Sequence, residues 1–231
     1  MSIVFKRYQD IDDDYRSSDM HMHSTWSDGK GSPEDIISKA TEIGLKRICI
    51  TDHLRRESTY YQDAYHEICK LRSSADIEVY TGFEAKIEDF NGNIDASTEN
   101  LKLADLSIAS VHRFPIGRKL LDARDVNVEV ANTIELELSI AAINKGGFSV
   151  LGHPGGMSIR KHGNFPIKYF EEIIAEISKT DIAFDFNASY HTNYKIELLK
   201  LFETYNPFVA IGSDAHVLDK IGSCKALFLN E

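Results

Sequence analysis

Phe208-Val209-Ala210-Ile211-Gly212-Ser213-Asp214-Ala215-His216 reads as a brief, β-rich apolar run that closes on two potential metal ligands. Side chains alternate across a strand, so Asp214 and His216 share a face and can approach one ion together. The same pattern recurs along the chain. His21-Met22-His23 sets two imidazoles on one face, and Arg47-Ile48-Cys49-Ile50 runs into Thr51-Asp52-His53. Ile77-Glu78-Val79-Tyr80 leads to Gly82-Phe83-Glu84, Leu106-Ser107-Ile108-Ala109 to His112, and Phe148-Ser149-Val150-Leu151 to Gly152-His153-Pro154. With Asp28, nine potential ligands fall at the ends of several different strands, the layout of a polynuclear metal site.

Helical patterns stand between the runs. Ser32-Pro33-Glu34-Asp35 supplies an N-cap, a proline at the first helical position and a capping-box acid, opening a helix that stops at Gly44. Further helices are expected over about 60–72, 126–144, 167–178 and 193–205, and a type I′ hairpin turn at Asn91-Gly92-Asn93. Strands near residues 18, 47, 77, 105, 148, 181 and 208 make seven strand–helix units, which predicts a parallel sheet curled into a barrel. Functional groups in such barrels lie at the C-terminal ends of the strands. One domain over residues 1–231 is expected, with residues 1–17 an irregular arm laid upon it. The arm's Asp10-Ile11-Asp12-Asp13-Asp14 lacks the glycine and distal glutamate of a calcium loop.

At 231 residues, 42% apolar and 27% charged, the chain can bury the core of one α/β domain. Its 26 Lys and Arg against 36 Asp and Glu leave a formal charge of −10, and no basic run occurs, which argues against a nucleic-acid-coating surface. Cys49, Cys69 and Cys224 are odd in number and lack CxxC spacing, so reduced thiols are expected. No stretch approaches the ~20 apolar residues of a membrane span, and the first residues lack a signal peptide's apolar run. The reading is cytoplasmic, with no membrane partner and the oligomeric state open.

Taken in order, His21-x-His23, Ser27-Asp28-Gly29, Thr51-Asp52-His53, Gly82-Phe83-Glu84, Ser110-Val111-His112, Gly152-His153-Pro154 and Gly212-Ser213-Asp214-Ala215-His216 resemble the PHP (polymerase and histidinol phosphatase) superfamily. The resemblance runs from about residue 19 to 222. It implies an α/β fold, a distorted (β/α)7 barrel of the PHP type, with a two- or three-metal site at the C-terminal strand ends that hydrolyses phosphoesters. It places His21, His23, Glu84 and Asp214 on one metal, Asp28, His53 and His216 on a second, and Glu84, His112 and His153 on a third. Zinc, iron and manganese all suit such ligands. Three divalent ions less three carboxylates and one hydroxide leave a charge of about +2, a match for a phosphomonoester dianion. The implied mechanism is in-line attack by a metal-bridging hydroxide, with Asp214 and His53 as catalytic residues and Asp214 or a metal-bound water protonating the departing alcohol.

Phosphate recognition beyond the metals calls for a cation with a planar fork, and Arg113 and Arg160 are the candidates, with Lys161 and Arg55-Arg56 at the same end. Asn187 is expected to line the pocket. Asp52 either orients a neighbouring histidine or caps backbone amides, and His162 and His191 are read as substrate contacts or surface residues. The expected function is a phosphomonoesterase on a small metabolite, with L-histidinol phosphate of histidine biosynthesis as the specific candidate. The alternatives are a nucleotide or oligonucleotide phosphatase or exonuclease, and a non-catalytic PHP scaffold module.

Overall fold

The computed structural model describes residues 3, 5–117 and 119–228. In chain order its elements are β1 (Lys6–Arg7), α1 (Asp13–Arg16), β2 (Ser18–Asp19), α2 (Pro33–Glu42), β3 (Arg47–Ile50), β4 (His53–Leu54), α3 (Tyr61–Arg72), β5 (Glu78–Lys86), α4 (Thr98–Leu103) and β6 (Leu106–Ser110). There follow β7 (Phe114–Ile116), β8 (Lys119–Leu121), α5 (Val128–Lys145), β9 (Val150–Gly152), α6 (Gly156–His162), α7 (Ile167–Ile177), β10 (Ala183–Asn187), α8 (Ala188–His191), α9 (Lys195–Tyr205) and β11 (Phe208–Gly212).

β2, β3, β5, β6, β9, β10 and β11 pair in that order, all parallel, with β4 continuing alongside β5 beyond the end of β3. The outer strands of that run then meet. Met20 N donates to Ile211 O at 2.7 Å, Asp214 N to His21 O at 2.8 Å and His23 N to Ala215 O at 2.9 Å. The curled sheet is the distorted (β/α)7 barrel, with strands where the apolar runs predict them. Its closing seam joins the two segments that carry His21, His23 and Asp214.

Period two sorts the side chains. Met20, Cys49, Tyr80, Leu106, Ile108, Val150, Ala183 and Ala210 form one buried cluster, drawn from every barrel strand or its immediate continuation. Their neighbours point outward: Ile48 and Ile50 pack with Ile36 and Ala40 of α2 and Ile68 of α3. Phe184, Phe186 and Ile211 pack with Phe170, Ile174, Leu198 and Phe202 of the helical layer. Burying each such side chain contributes roughly 1.5–3 kcal/mol, so the alternation fixes which residues of a strand remain for the site. Asp185 and Asn187 follow Ala183 inward.

Two expectations are corrected. The arm over residues 1–17 is not irregular where it is described; residues 1, 2 and 4 lie outside the described residues. β1 pairs antiparallel with the start of β11, Ile3 and Phe5 pack on the interior cluster at the end remote from the ligands, and Tyr15 donates to Val209 O at 2.6 Å. Asp12, from the acidic cluster, caps α1 by accepting from Tyr15 N. The turn at Asn91-Gly92 is not type I′, which needs positive φ at both central residues. Only Gly92 has it, at +73°, and Asp89 organises the loop by accepting from Asn91 N and Asn93 N.

The α2 capping box forms as expected, with Asp35 N donating to Ser32 Oγ at 3.1 Å and Ser32 N to Asp35 Oδ2 at 3.0 Å. The three cysteines are free, Cys69 only half-buried. No helix among the described residues is long and apolar enough to cross a membrane.

Candidate metal centre

Glu84, in the last third of β5, lies at the middle of the open barrel end. His53 Nδ1 stands 2.8 Å from its carboxylate, His153 Nε2 2.9 Å, His112 Nε2 3.1 Å and His21 Nε2 3.5 Å. His23 Nε2 is 3.0 Å from Asp214 Oδ1, and Asp28 lies 3.3 Å from His216 Nε2 and 3.6 Å from His53 Nε2. The fold thus gathers all nine side chains of the sequence pattern into one cluster. Their ligand atoms fall into four groups, each within 4.8 Å: His23, Asp28, His53 and His216; His21, His23 and Asp214; His21, Glu84 and His153; His53, Glu84 and His112. The first contains the set Asp28, His53 and His216 with His23 added. Glu84, His112 and His153 are divided between the last two.

The donor set fits divalent ions. Glu84 Oε2 and His21 Nε2 are buried with no hydrogen-bond partner among the described residues, although His53 Nδ1 stands 2.8 Å from Glu84 Oε2. Buried polar atoms are otherwise nearly always satisfied. Imidazole and carboxylate atoms left open toward a common centre are the arrangement that zinc, iron or manganese would complete.

Backbone strain is concentrated here. His153 and Asp214 hold φ of 27° and 54°, in the left-handed region, at a cost of roughly 1–2 kcal/mol each. Asp214 is held by its amide bond to His21 O, and His153 by donating from N to Asp185 Oδ2 at 3.0 Å. Asp185 also accepts from His21 Nδ1 at 2.8 Å and Asn187 Nδ2 at 2.9 Å. With Nδ1 donating, the Nε2 lone pair of His21 faces the cluster. A Cβ on Gly212 would lie 2.5 Å from Asp185 Oδ1 and 2.7 Å from His21 Cβ, so only glycine leaves room for this pair.

Asp185 was missed in the sequence, although its inward position two residues after Ala183 could have marked it. Asn187 is corrected: it is fully buried behind Asp185, caps Ser189 N through Oδ1 at 3.0 Å, and does not line the cavity. The inward alternation that brings it toward the site also places it beneath the start of α8. His191 is likewise no substrate contact. It is buried, with Nε2 donating to Pro154 O at 2.9 Å and Nδ1 accepting from Asn187 N at 3.1 Å. Asp52 takes the capping alternative, accepting from Ser24 N, Ser24 Oγ and Ser27 Oγ at 2.8, 2.7 and 2.6 Å, and so fixes the loop that carries Asp28. Glu135, also missed, reaches from α5 to accept from Met157 N and Ser158 N at 3.0 and 2.8 Å, holding the first turn of α6.

Burial alone would raise the Glu84 carboxyl, yet His112 and His21 hold it well below the usual carboxylate range. Burial lowers His21 in turn, but Asp185 and Glu84 outweigh it and push the imidazole well above its ordinary value. His23 is lowered by burial. Asp214, which burial would raise, is kept low by its hydrogen bond from His23 and by His21 nearby.

The cluster opens into a cavity of about 1100 Å³. Arg160 and Arg113 line it, as do Arg55, Arg124, Lys86 and Lys161, whereas Arg56 turns away to Glu88. Arg113 is 2.8 Å from Asp122; Arg160 has no carboxylate partner among the described residues. Tyr190, also on the wall, donates to Asp214 Oδ2 at 3.1 Å.

The PHP domain family matches residues 19–189. A protein of Caldicellulosiruptor bescii named "Probable phosphatase" is 32% identical over 206 residues, 83% of this chain and 76% of its own. The DNA polymerase/3'-5' exonuclease PolX of Bacillus subtilis is 24% identical over 90% of this chain but only 35% of its own length. Among solved structures, the histidinol phosphate phosphatase of Lactococcus lactis, complexed with zinc, L-histidinol and phosphate, superposes with a TM-score of 0.68 at 20% identity, covering 93% of this chain and 94% of that one.

Proposed function

The chain belongs to the PHP domain family, and from that premise we propose that it is a metal-dependent phosphoesterase acting on small phosphomonoesters. The observation that carries the reading is the buried Glu84 carboxylate, approached by five imidazoles and with His21 Nε2 beside it lacking any hydrogen bond among the described residues, facing a cavity with cations on its wall. Divalent ions held by His21, His23, Asp28, His53, Glu84, His112, His153, Asp214 and His216 would polarise phosphoryl oxygens and make water acidic enough to act as a nucleophile near neutral pH. The chain's own groups orient the ester. Arg160, free of any carboxylate among the described residues, meets phosphoryl oxygens with its fork. Tyr190 keeps a proton at Asp214 Oδ2, beside the position from which the departing alcohol takes one. His53, at the cavity wall, joins the Asp28 and Glu84 sides of the cluster.

The cavity, about 1100 Å³, is of the size that encloses a small metabolite. L-histidinol phosphate is the named candidate for a substrate panel, to be set beside nucleoside monophosphates and a dinucleotide. The test is metal content of protein purified without chelator, coupled to phosphate release from that panel. The expected result is roughly two to three transition-metal ions per chain and turnover of a monoester that chelation abolishes. Metal-loaded protein that releases phosphate from no panel member would overturn the reading and favour the scaffold alternative; turnover of the dinucleotide alone would favour the exonuclease.

A further inference from the structure

One wall of the cavity carries a charge arrangement that holding the cluster does not require. Asp122, just after the β7–β8 hairpin, is approached by three cations: Arg113 Nη1 at 2.8 Å, Arg124 Nε at 3.1 Å and Lys161 Nζ at 3.9 Å. All four line the cavity. They come from separate segments, since Arg113 directly follows His112, Arg124 lies in a short 3-10 turn and Lys161 in α6. His162 donates from Nε2 to Ala123 O at 2.8 Å and ties the last two together. Asp125 caps the Asp122 backbone amide and does not line the cavity, but its charge still acts on Arg124.

Three cations against Asp122 and the nearby Asp125 leave a net excess of one positive charge, and Arg160 on the same wall adds a second. Stability does not explain this. Exposed ion pairs contribute about 0–1 kcal/mol, one carboxylate needs one cation, and each added cation is repelled by the others. The chain as a whole carries −10, so the positive wall is a local reversal of its charge. Among the described residues, the carboxylates on the cavity wall outside the metal cluster are Asp122, engaged by its three cations, and Asp95, engaged by Lys86 at 3.4 Å. An ammonium group on a substrate would meet cations here and, among the described residues, no open acid.

We propose that the cations assembled on Asp122 form a second anion subsite beside the metal cluster. Resting on the phosphoesterase reading, this makes the preferred substrates phosphomonoesters that carry a further anionic group, such as the phosphate esters of hydroxy acids. Asp122 holds the side chains aimed at the cavity, and the second anion takes up the charge it leaves over. A cationic amino alcohol ester is the disfavoured class, and L-histidinol phosphate from the panel above falls in it.

The test uses two substrate pairs that each exchange a CH2OH for a carboxylate: glycerol 3-phosphate against 3-phosphoglycerate, and glucitol 6-phosphate against 6-phosphogluconate. The pairs differ in the reach between phosphoryl group and second anion. The expected result is a kcat/KM higher for the acid by about tenfold in at least one pair, the size of one charge-assisted contact. In the double variant R124Q/K161Q that ratio should fall to near one. Calorimetric titration of chelator-treated protein, in which no turnover occurs, reads the same preference as a ratio of Kd. Phosphate release without preference for either acid would overturn the subsite and leave the phosphoesterase reading standing. Release from none of the four leaves the subsite to the Kd ratios, where no preference for either acid overturns it; the phosphoesterase reading falls only if the first panel is untouched as well.

Discussion

Behind Glu84, the His21 and His153 side chains are 1% and 2% exposed, and Asp185 holds one by its ring and the other by its backbone amide. In front of it, the side chains of Asp28, His53, His112 and His216 are 56%, 37%, 24% and 35% exposed. The rear half is oriented by protein hydrogen bonds before any ion arrives. The front half has fewer such restraints: Asp28 is steadied mainly by the loop that Asp52 caps, with Ser27 Oγ 3.4 Å from its carboxylate. One cluster therefore combines a preset floor, suited to tight retention, with an open rim, suited to exchange with substrate.

Glu84→Gln strikes both halves together and should have the largest effect. The variant is expected to lose kcat/KM on the order of 10³-fold and to retain less metal, with its circular dichroism unchanged. Activity within about tenfold of the parent would show that Glu84 does not join the halves.

The rear half also carries a pH signature. His191 is neutral, with both nitrogens bonded, and burial pushes it down to about 4. That lies below its unfolded value of about 6.5, so on acidification the unfolded chain takes up the proton first. Stability from this residue is complete above pH ~6.5 and is lost toward pH ~4, by about 3 kcal/mol. Urea midpoints measured from pH 7 to 4 should show the loss, and His191→Gln should flatten that part of the profile. An unchanged slope in the variant would assign the acid sensitivity elsewhere.

The smallest effects sharpen the contrast most. Asp185→Asn is expected to lower metal affinity about 10–100-fold by releasing the His21 ring. Asp28→Asn, at the rim and with an amide oxygen still able to face an ion, should cost less than Asp185→Asn. Competition against a chelator ranks the two, and equal losses would dissolve the distinction between floor and rim.

The barrel strands and the nine clustered residues were readable because apolar runs and strand-end ligands are local signals, carried by neighbouring residues and their period. Ser32, Pro33 and Asp35 announce their helix for the same reason. The partners of Asp185, Glu135 and Asp122 were not readable, although strand alternation marks Asp185 itself as inward-facing. Each acts on groups distant in the chain, Asp185 on His21 and His153, Glu135 on the start of α6, and Asp122 on Arg113 and Lys161, so no window of sequence contains the interaction. Asn187 and His191 misled in the reverse sense: their position at and just after the end of β10 resembles a site position, but Asn187 is buried as the cap of α8 and His191, which ends α8, turns inward to Pro154 O.

The order of residues was enough to determine that ligands would collect at one end of a parallel sheet, since alternation and strand succession follow from backbone geometry alone. Which imidazole nitrogen faces the cluster, which arginine stands free and where the cations gather were decided only when the seam between residues 20–23 and 211–215 closed. Those properties depend on distances between remote segments, and on the burial that makes a missing hydrogen bond costly, neither of which exists before the chain is folded.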